Sequence, residues 1–360
     1  MTSIILIFVI AFSFGIVGTP IARKIAIKLG LISIPRDDRA HKIPTALMGG
    51  VAIYAAAISA LLIITAVVVF FIKGNPFRIS EFLGILIGAS LIAIVGLWDD
   101  NKPLSPPIKL GAEFVPAIIA FVVGANIQIN LFGSEPLNMT VNFILTTCWI
   151  LYITNAINFL DNSDGVAAMT CATTSAIFLL IAVLNGQQLV SVLAAAVLGA
   201  SLSFARYNLP LPKSTIFMGD SGSLFLGYLL AILAIKIRIP SNIIAVTWMV
   251  PVIVLGLPIF DTAMVFISRF RRGVSFFQGG IDHTTHRLAR LGMTNLSVAL
   301  AISLINCALG LIAIFTTQAE LAEAYAIAMS LVGLAIYILW RIEFVASYKF
   351  RTGKSGTKND

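Results

Sequence analysis

Long apolar stretches divide this chain, and they constrain its fold more than any other feature. They run at about 3–22, 46–72, 80–97, 109–124, 141–157, 166–184, 189–205, 222–236, 242–267, 295–315 and 322–340. A helix needs ~20 mostly apolar residues to cross a bilayer. Inside lipid, helices are favoured because they satisfy their own backbone polar groups. Eleven such helices consume about 220 residues by that rule, so a chain of 360 has no room for a separate soluble domain. Charged residues make up only 11% of the chain, against roughly 25% in soluble domains. The expected fold is therefore an all-α polytopic membrane protein of about 11 transmembrane helices. It forms a single domain over 1–345, with a polar tail at 346–360 read as disordered. A soluble enzyme, a disordered chain and a fibre are all excluded.

Details within the spans refine this reading. The eighth is short, the fourth carries Glu113, and the ninth carries Pro251, Pro258 and Asp261. The first lacks a basic leader and a small-residue cleavage site, so it reads as a retained helix. Gly84 and Gly88 make a GxxxG pattern in the third, read as close packing inside the bundle. Cys148, Cys171 and Cys307 all lie in apolar segments without metal-ligand spacing, so they read as packed thiols.

Orientation follows from lysine and arginine. With the N-terminus outside, 20 of the 24 basic residues fall in inside loops or the tail; only Lys73, Arg78, Lys236 and Arg238 fall outside. An odd number of spans then places the basic C-terminus inside, which agrees. The net charge of +8 thus reflects membrane topology, and no nucleic-acid partner is expected. Acidic residues contribute little to topology. Yet Asp99, Asp100, Asp161, Asp164, Asp220 and Asp282, with His41, His283 and His286, all share the inside face. That clustering points to an active site there.

Four inside loops carry the polar residues. Trp98-Asp99-Asp100-Asn101-Lys102 closes an apolar span, and its adjacent carboxylates require a nearby cation, either a metal or Lys102 and Lys109. Asn155, Asn158, Asp161 and Asp164 recur every third residue. On a helix they would line one face, suited to a hard cation or a nucleobase. Phe217-Met218-Gly219-Asp220-Ser221-Gly222-Ser223 opens a helix whose free N–H groups suit phosphate. There Asp220 is either a helix cap or a metal ligand. The long loop from Arg269 to Arg290 holds His283, His286 and Arg287, suited to phosphate or sugar oxygens; two histidines without a third ligand argue against zinc. Acidic ligands, small residues and basic groups on one membrane face suit phosphoryl transfer, where positioning and charge neutralisation carry the catalysis. The expected reaction is a Mg²⁺-dependent transfer of a phosphorylated group to or from a lipid.

These loops, in this order, resemble the polyprenyl-phosphate N-acetylhexosamine-1-phosphate transferases over roughly residues 35–292. The resemblance rests on "WDD", "NAIN-x-x-D-x-x-DG" and "FMGDSGS" together. It implies that Asp99 and Asp100 lie at the lipid-phosphate end as catalytic carboxylates. It also implies that Asn158 and Asp220 hold Mg²⁺, with Mn²⁺ as the substitute ion. Asp161 and Asp164 would lie near nucleotide and metal, with Asp161 in a catalytic role, and Lys109 would meet the nucleotide phosphates. His283 and His286 would match the ends of a donor-contacting H-x-H-H loop, with Asn155 and Arg287 beside the substrate. His41, with Lys42, Pro44 and Gly49-Gly50, would form the first inside loop. Thr285 stands in place of the middle histidine, and Asn162-Ser163 in place of Gly-Leu.

The first loop lacks the longer pattern associated with the MurNAc-pentapeptide enzyme, so the GlcNAc-1-phosphate branch fits better. The implied partners are a UDP-N-acetylhexosamine, a polyprenyl phosphate and the bilayer, with a homodimer as the expected assembly if there is one. The implied location is the cytoplasmic membrane, and the implied role is starting a cell-surface polysaccharide. The alternatives are a MurNAc-pentapeptide transferase and, from another class, a secondary transporter.

Overall fold

A computed structural model describes residues 1–33, 44–70, 77–275 and 280–346. His41, Lys42 and the tail from 347 lie outside the described residues. The helices are α1 (Thr2–Leu29), α2 (Gly49–Phe70), α3 (Ile79–Asn101), α4 (Pro106–Val122), α5 (Glu135–Leu160), α6 (Val166–Leu184) and α7 (Gln188–Asn208). They continue with α8 (Gly219–Lys236), α9 (Ile244–Val254), α10 (Gly256–Arg272), α11 (Thr284–Arg290), α12 (Asn295–Thr316) and α13 (Leu321–Trp340). A π-helical turn, Arg341–Ala346, follows.

Among the described residues, nine helices are long and apolar enough to cross a membrane alone. They are α1, α2, α3, α5, α6, α7, α8, α12 and α13 with its π-helical extension. The fold is therefore that of an all-α polytopic membrane protein. The expected ninth span is two helices, α9 and α10, bent by 70°. Pro258 explains the break, because it has no N–H to donate to the carbonyl four residues back. The expected fourth span is the 17-residue α4, at the short end of the spanning range. Helix α8, expected from the shortest apolar run, is the most thoroughly buried spanning helix, enclosed by α2, α3, α5, α6 and α7. Its glycines and serines weaken the hydropathy signal, which is tolerated because its neighbours are protein rather than lipid.

Two features depart from the expected helices and short loops. First, β1 (Ile32–Ser33), β2 (Thr45–Leu47) and β3 (Ile216–Phe217) form a small sheet. β1 and β2 are antiparallel, and β2 and β3 are parallel. The sheet ties the start of α2 to the start of α8, and the Gly50 N–H donates to the Met218 carbonyl at 2.7 Å. Second, α5 begins at Glu135 rather than near 141. Its first turns clasp the extended segment 127–132. Asn138 exchanges two bonds with the Phe132 backbone, Asn142 does the same with Ile129, and Thr146 accepts from the Ile127 N–H at 2.9 Å. Three polar side chains at four-residue spacing thus satisfy backbone that no helix or sheet satisfies. The GxxxG pattern packs inside the bundle: a Cβ on Gly84 would lie 2.3 Å from Val123, and one on Gly88 would lie 2.2 Å from the Tyr228 hydroxyl.

Asn142→Leu removes both partners of the Ile129 backbone. Each unsatisfied buried group costs about 1–3 kcal/mol, so the variant is expected to unfold several degrees below the parent in detergent. Scanning fluorimetry checks this; an unchanged melting temperature would show that the clasp contributes nothing.

Candidate active site

The site is built on the first turn of α8. Gly219 has φ +72°, a left-handed conformation that L side chains avoid. A Cβ there would lie 2.6 Å from the Asp100 carboxylate. The next two N–H groups are orphaned by the start of the helix. Asp100 takes both: Oδ1 accepts from Asp220 N at 2.8 Å, and Oδ2 from Ser221 N at 3.1 Å. A carboxylate from the end of α3 thus caps α8, a favourable position against the positive end of the helix dipole. Gly96, one turn earlier on α3, permits the approach, since a Cβ there would lie 2.5 Å from the Asp220 backbone. The N–H groups expected to receive phosphate are therefore partly occupied. Asp220 is not the cap; Asp100 is.

This leaves the Asp220 side chain free for other contacts. Asn158 donates to its Oδ1 at 3.0 Å and also to Ser223 Oγ at 2.9 Å. Lys109, from α4, pairs with Asp220 Oδ2 and with Asp99 at 3.0 Å. Asp99 also accepts the Leu104 N–H, which fixes the α3–α4 turn. Asp99, Asp100, Lys109, Asn158 and Asp220, far apart in sequence, therefore meet at one end of the bundle.

The expected four-residue helical face is only half formed. Asn155 and Asn158 share α5, but that helix ends at Leu160. Asp161 and Asp164 lie in the following turn, which closes at Gly165 with φ +78°. Partial burial, then the negative charges of Asp220, Asp100 and Asp164, push the Asp161 carboxyl well above the usual range. Burial raises Asp164 to about 6. A net excess of carboxylates faces this pole, and it calls for a cation.

The basic loop stands alongside. His283, 5% exposed, meets the fully buried Asp261 through Nδ1 at 2.8 Å, and Thr284 N donates to the same carboxylate at 2.7 Å. Asp261 thus supports this loop from within α10. The rings of His283 and His286 lie 6.0 Å apart. Burial and then the charges of His283 and Arg290 lower the His286 pKa. Asp282 is held by Arg272 at 2.8 Å and Arg269 at 3.4 Å. Arg287 binds the Asp282 carbonyl at 2.8 Å and the buried Glu343. Glu343 also pairs with Arg271 at 3.1 Å. The Thr285 hydroxyl donates to Asn162, bonding the two positions that depart from the family pattern. This contact and the edge-on packing of His283 against Phe159 join the loop to the end of α5.

Sequence reasoning missed three of these roles. Glu343 stands as an isolated acid near a basic tail, a signal that was available. The bonds of Glu113 to Asn155, and of Ser223 to Asn158, had no local signal.

Among the described residues, no three His, Cys, Asp or Glu side chains are grouped as a metal site. Mg²⁺ in phosphoryl-transfer sites uses one or two carboxylates and completes its shell with water and substrate phosphate. The donor set of Asp220 with the Asn158 amide fits that mode, and the Lys109 ammonium, paired with Asp99 and Asp220, meets only part of the local demand for positive charge. The residues suit an ion shared with substrate, not a closed protein cage.

Asp164 yields a stability test. Its pKa is about 6 in the folded protein, above the ordinary 3.8. The folded state therefore binds the proton more tightly, and stability falls as pH rises from about 4 through 6. Asp164→Asn is expected to melt above the parent at pH 7.5, with the gap closing toward pH 4.5. A gap independent of pH would contradict the assignment.

Residues 82–238 match the family described as Glycosyl transferase family 4. That segment holds Asp99, Asp100, Lys109, Asn155, Asn158, Asp161, Asp164 and Asp220, while the His283 loop lies beyond it. The chain is 29% identical to a probable undecaprenyl-phosphate N-acetylglucosaminyl 1-phosphate transferase of Bacillus subtilis (strain 168), over 94% of this chain and 90% of that one. It is 26% identical to an undecaprenyl-phosphate alpha-N-acetylglucosaminyl 1-phosphate transferase of Yersinia pestis, over 97% and 95%. It is 28% identical to a decaprenyl-phosphate N-acetylglucosaminephosphotransferase of Mycobacterium leprae (strain TN), over 81% and 77%. The chain is thus similar, over most of its length, to three sugar-phosphate transferases, and the central segment that carries the carboxylate pole resembles glycosyl transferase family 4.

Proposed function

We propose that the protein transfers N-acetylglucosamine-1-phosphate from UDP-N-acetylglucosamine to a membrane polyprenyl phosphate, releasing UMP. The observation that carries this reading is the meeting of Asp99, Asp100, Lys109, Asn158 and Asp220 within hydrogen-bonding distance at one end of an apolar bundle. Such a place lets a lipid acceptor remain in the bilayer while a water-soluble donor approaches. An oxygen of the lipid phosphate attacks the sugar-side phosphorus. The bond from that phosphorus to the bridging oxygen breaks, and UMP leaves with the electron pair.

The chain's own residues position and neutralise. Asp100 holds the start of α8, and through it the direction of Asp220. Lys109 supplies a cation that can turn from Asp99 and Asp220 to phosphate oxygens when substrate arrives. Asp220 and Asn158 would hold Mg²⁺, or Mn²⁺ in its place, which supplies charge neutralisation to the diphosphate when bound. A phosphate monoester has its second pKa near 6, so the acceptor is largely dianionic at neutral pH. No strong base is required, which agrees with Asp100 having both oxygens committed to backbone N–H groups. His283, His286 and Arg287 stand where they can meet the donor.

The reading extends to topology. Counting α4, and the bent pair α9–α10 as one span, gives eleven spans. The N-terminus is then outside, the C-terminus inside, and the site on the cytoplasmic face of the cytoplasmic membrane. A transporter is disfavoured because Glu113 and Asp261, the acids placed deep in spans, bond to Asn155 and to His283 at this same pole.

Purified protein given polyprenyl phosphate is expected to release UMP from UDP-N-acetylglucosamine and to form a lipid diphosphate sugar detected by mass spectrometry. Reaction only with UDP-MurNAc-pentapeptide would reassign the donor, and solute flux without a lipid product would favour transport. Asp220→Ala is expected to lower turnover at least about a hundredfold, the scale for losing a charge-stabilising group. Chelation by EDTA is expected to stop the reaction, and added Mg²⁺ or Mn²⁺ to restore it. Full activity in EDTA would contradict the metal assignment.

A further inference from the structure

Asn155 lies one turn back along α5 from Asn158 and is partly exposed. Its amide nitrogen donates to the Leu151 carbonyl at 3.0 Å and to Glu113 Oε2 from α4. Both amide protons are thereby committed, and only Oδ1 remains, which can accept but not donate. Glu113 is fully buried, and its other oxygen, Oε1, has no hydrogen-bond partner among the described residues. Burying a carboxylate in this state is expensive. Lys109, one turn away on α4, does not pair with it because Lys109 bridges Asp99 and Asp220. The cost therefore has to be offset by something other than an ion pair.

An unconstrained asparagine can present either its carbonyl or its amide to a ligand by rotating half a turn. A carboxylate neighbour removes that freedom, because it accepts from the amide and repels the carbonyl. We propose that Glu113 is a positioning residue that locks Asn155 with its carbonyl oxygen toward the site, where it accepts an N–H or O–H of the sugar-nucleotide. This rests on the transfer reading above. Ionised phosphate oxygens accept and do not donate, so the lipid phosphate and the diphosphate are poor partners for this oxygen. The base, ribose, sugar hydroxyls and acetamido group of the donor all carry suitable hydrogens.

The test uses full-length protein in detergent, with UDP-N-acetylglucosamine binding by calorimetry, UMP release and thermal unfolding. Glu113→Gln can accept or donate, so the lock is lost while volume is kept. It is expected to raise Kd and KM about tenfold, the scale of one oriented hydrogen bond, with kcat within about threefold. Asn155→Asp sets two carboxylates against each other and is expected to lose more. The swapped pair Glu113→Gln with Asn155→Asp restores one donor between the residues and one outward acceptor, and is expected to recover binding relative to Asn155→Asp alone. A merely structural role would move the melting temperature without this charge-specific rescue of Kd. Parental KM and Kd in Glu113→Gln, or a swapped pair no better than Asn155→Asp, would overturn the inference alone. A parent protein that neither binds nor turns over the donor would overturn the transfer reading, and this inference with it.

Discussion

The Asp100 carboxylate on the first N–H groups of α8 is the interaction on which the rest of the site depends. It joins α3 to the central helix of the bundle at the one turn where that helix has unsatisfied donors. It fixes the rotation of α8, and therefore where Asp220 points. Because Asp100 does the capping, Asp220 is free to face Lys109 and Asn158. The small residues around this contact, Gly96 and Gly219, follow from it, since each would place a Cβ against the other helix or the carboxylate. A cap formed within α8 itself would have consumed Asp220.

Electrostatics at this pole divide into two halves. The carboxylate half, from α3, α8 and the turn after α5, carries more negative charge than Lys109 alone can balance. The loop half pairs its charges internally: Asp261 with His283, Asp282 with Arg269 and Arg272, and Glu343 with Arg271 and Arg287. The proposed phosphoryl transfer brings two anions together, and in that proposal both halves contribute. One offers ligands that need a cation, and the other offers donors already held in place. The Thr285–Asn162 bond joins the halves at positions where the sequence departs from the pattern of the family it resembles. The π-helical turn after α13 reaches the same loop through Glu343, so the last spanning helix is linked to the site although little of it is buried.

Much of this was legible from residues. Long apolar runs marked the spanning helices because lipid leaves few alternatives for a backbone. The unexplained aspartates on one face marked the site because topology has no use for them. What was not legible depended on long-range geometry. The cap role of Asp100 cannot be seen from Trp98-Asp99-Asp100, since its partner lies 120 residues away. Asp161 and Asp164 looked helical because they continued a three-residue spacing, but α5 ends before them. Pro258 signalled an impure span without telling that the bend would reach 70°. The α8 signal was weak for the opposite reason, because burial against protein relaxes the demand for large apolar side chains.

The central claim is that the bond broken lies between the two phosphorus atoms of the donor. UDP-N-acetylglucosamine carrying radiophosphorus at the sugar-side position, given to purified protein with polyprenyl phosphate, tests it directly. The account predicts that the label moves to the lipid fraction and that unlabelled UMP is released. Label recovered in UDP, with the sugar alone on the lipid, would contradict it.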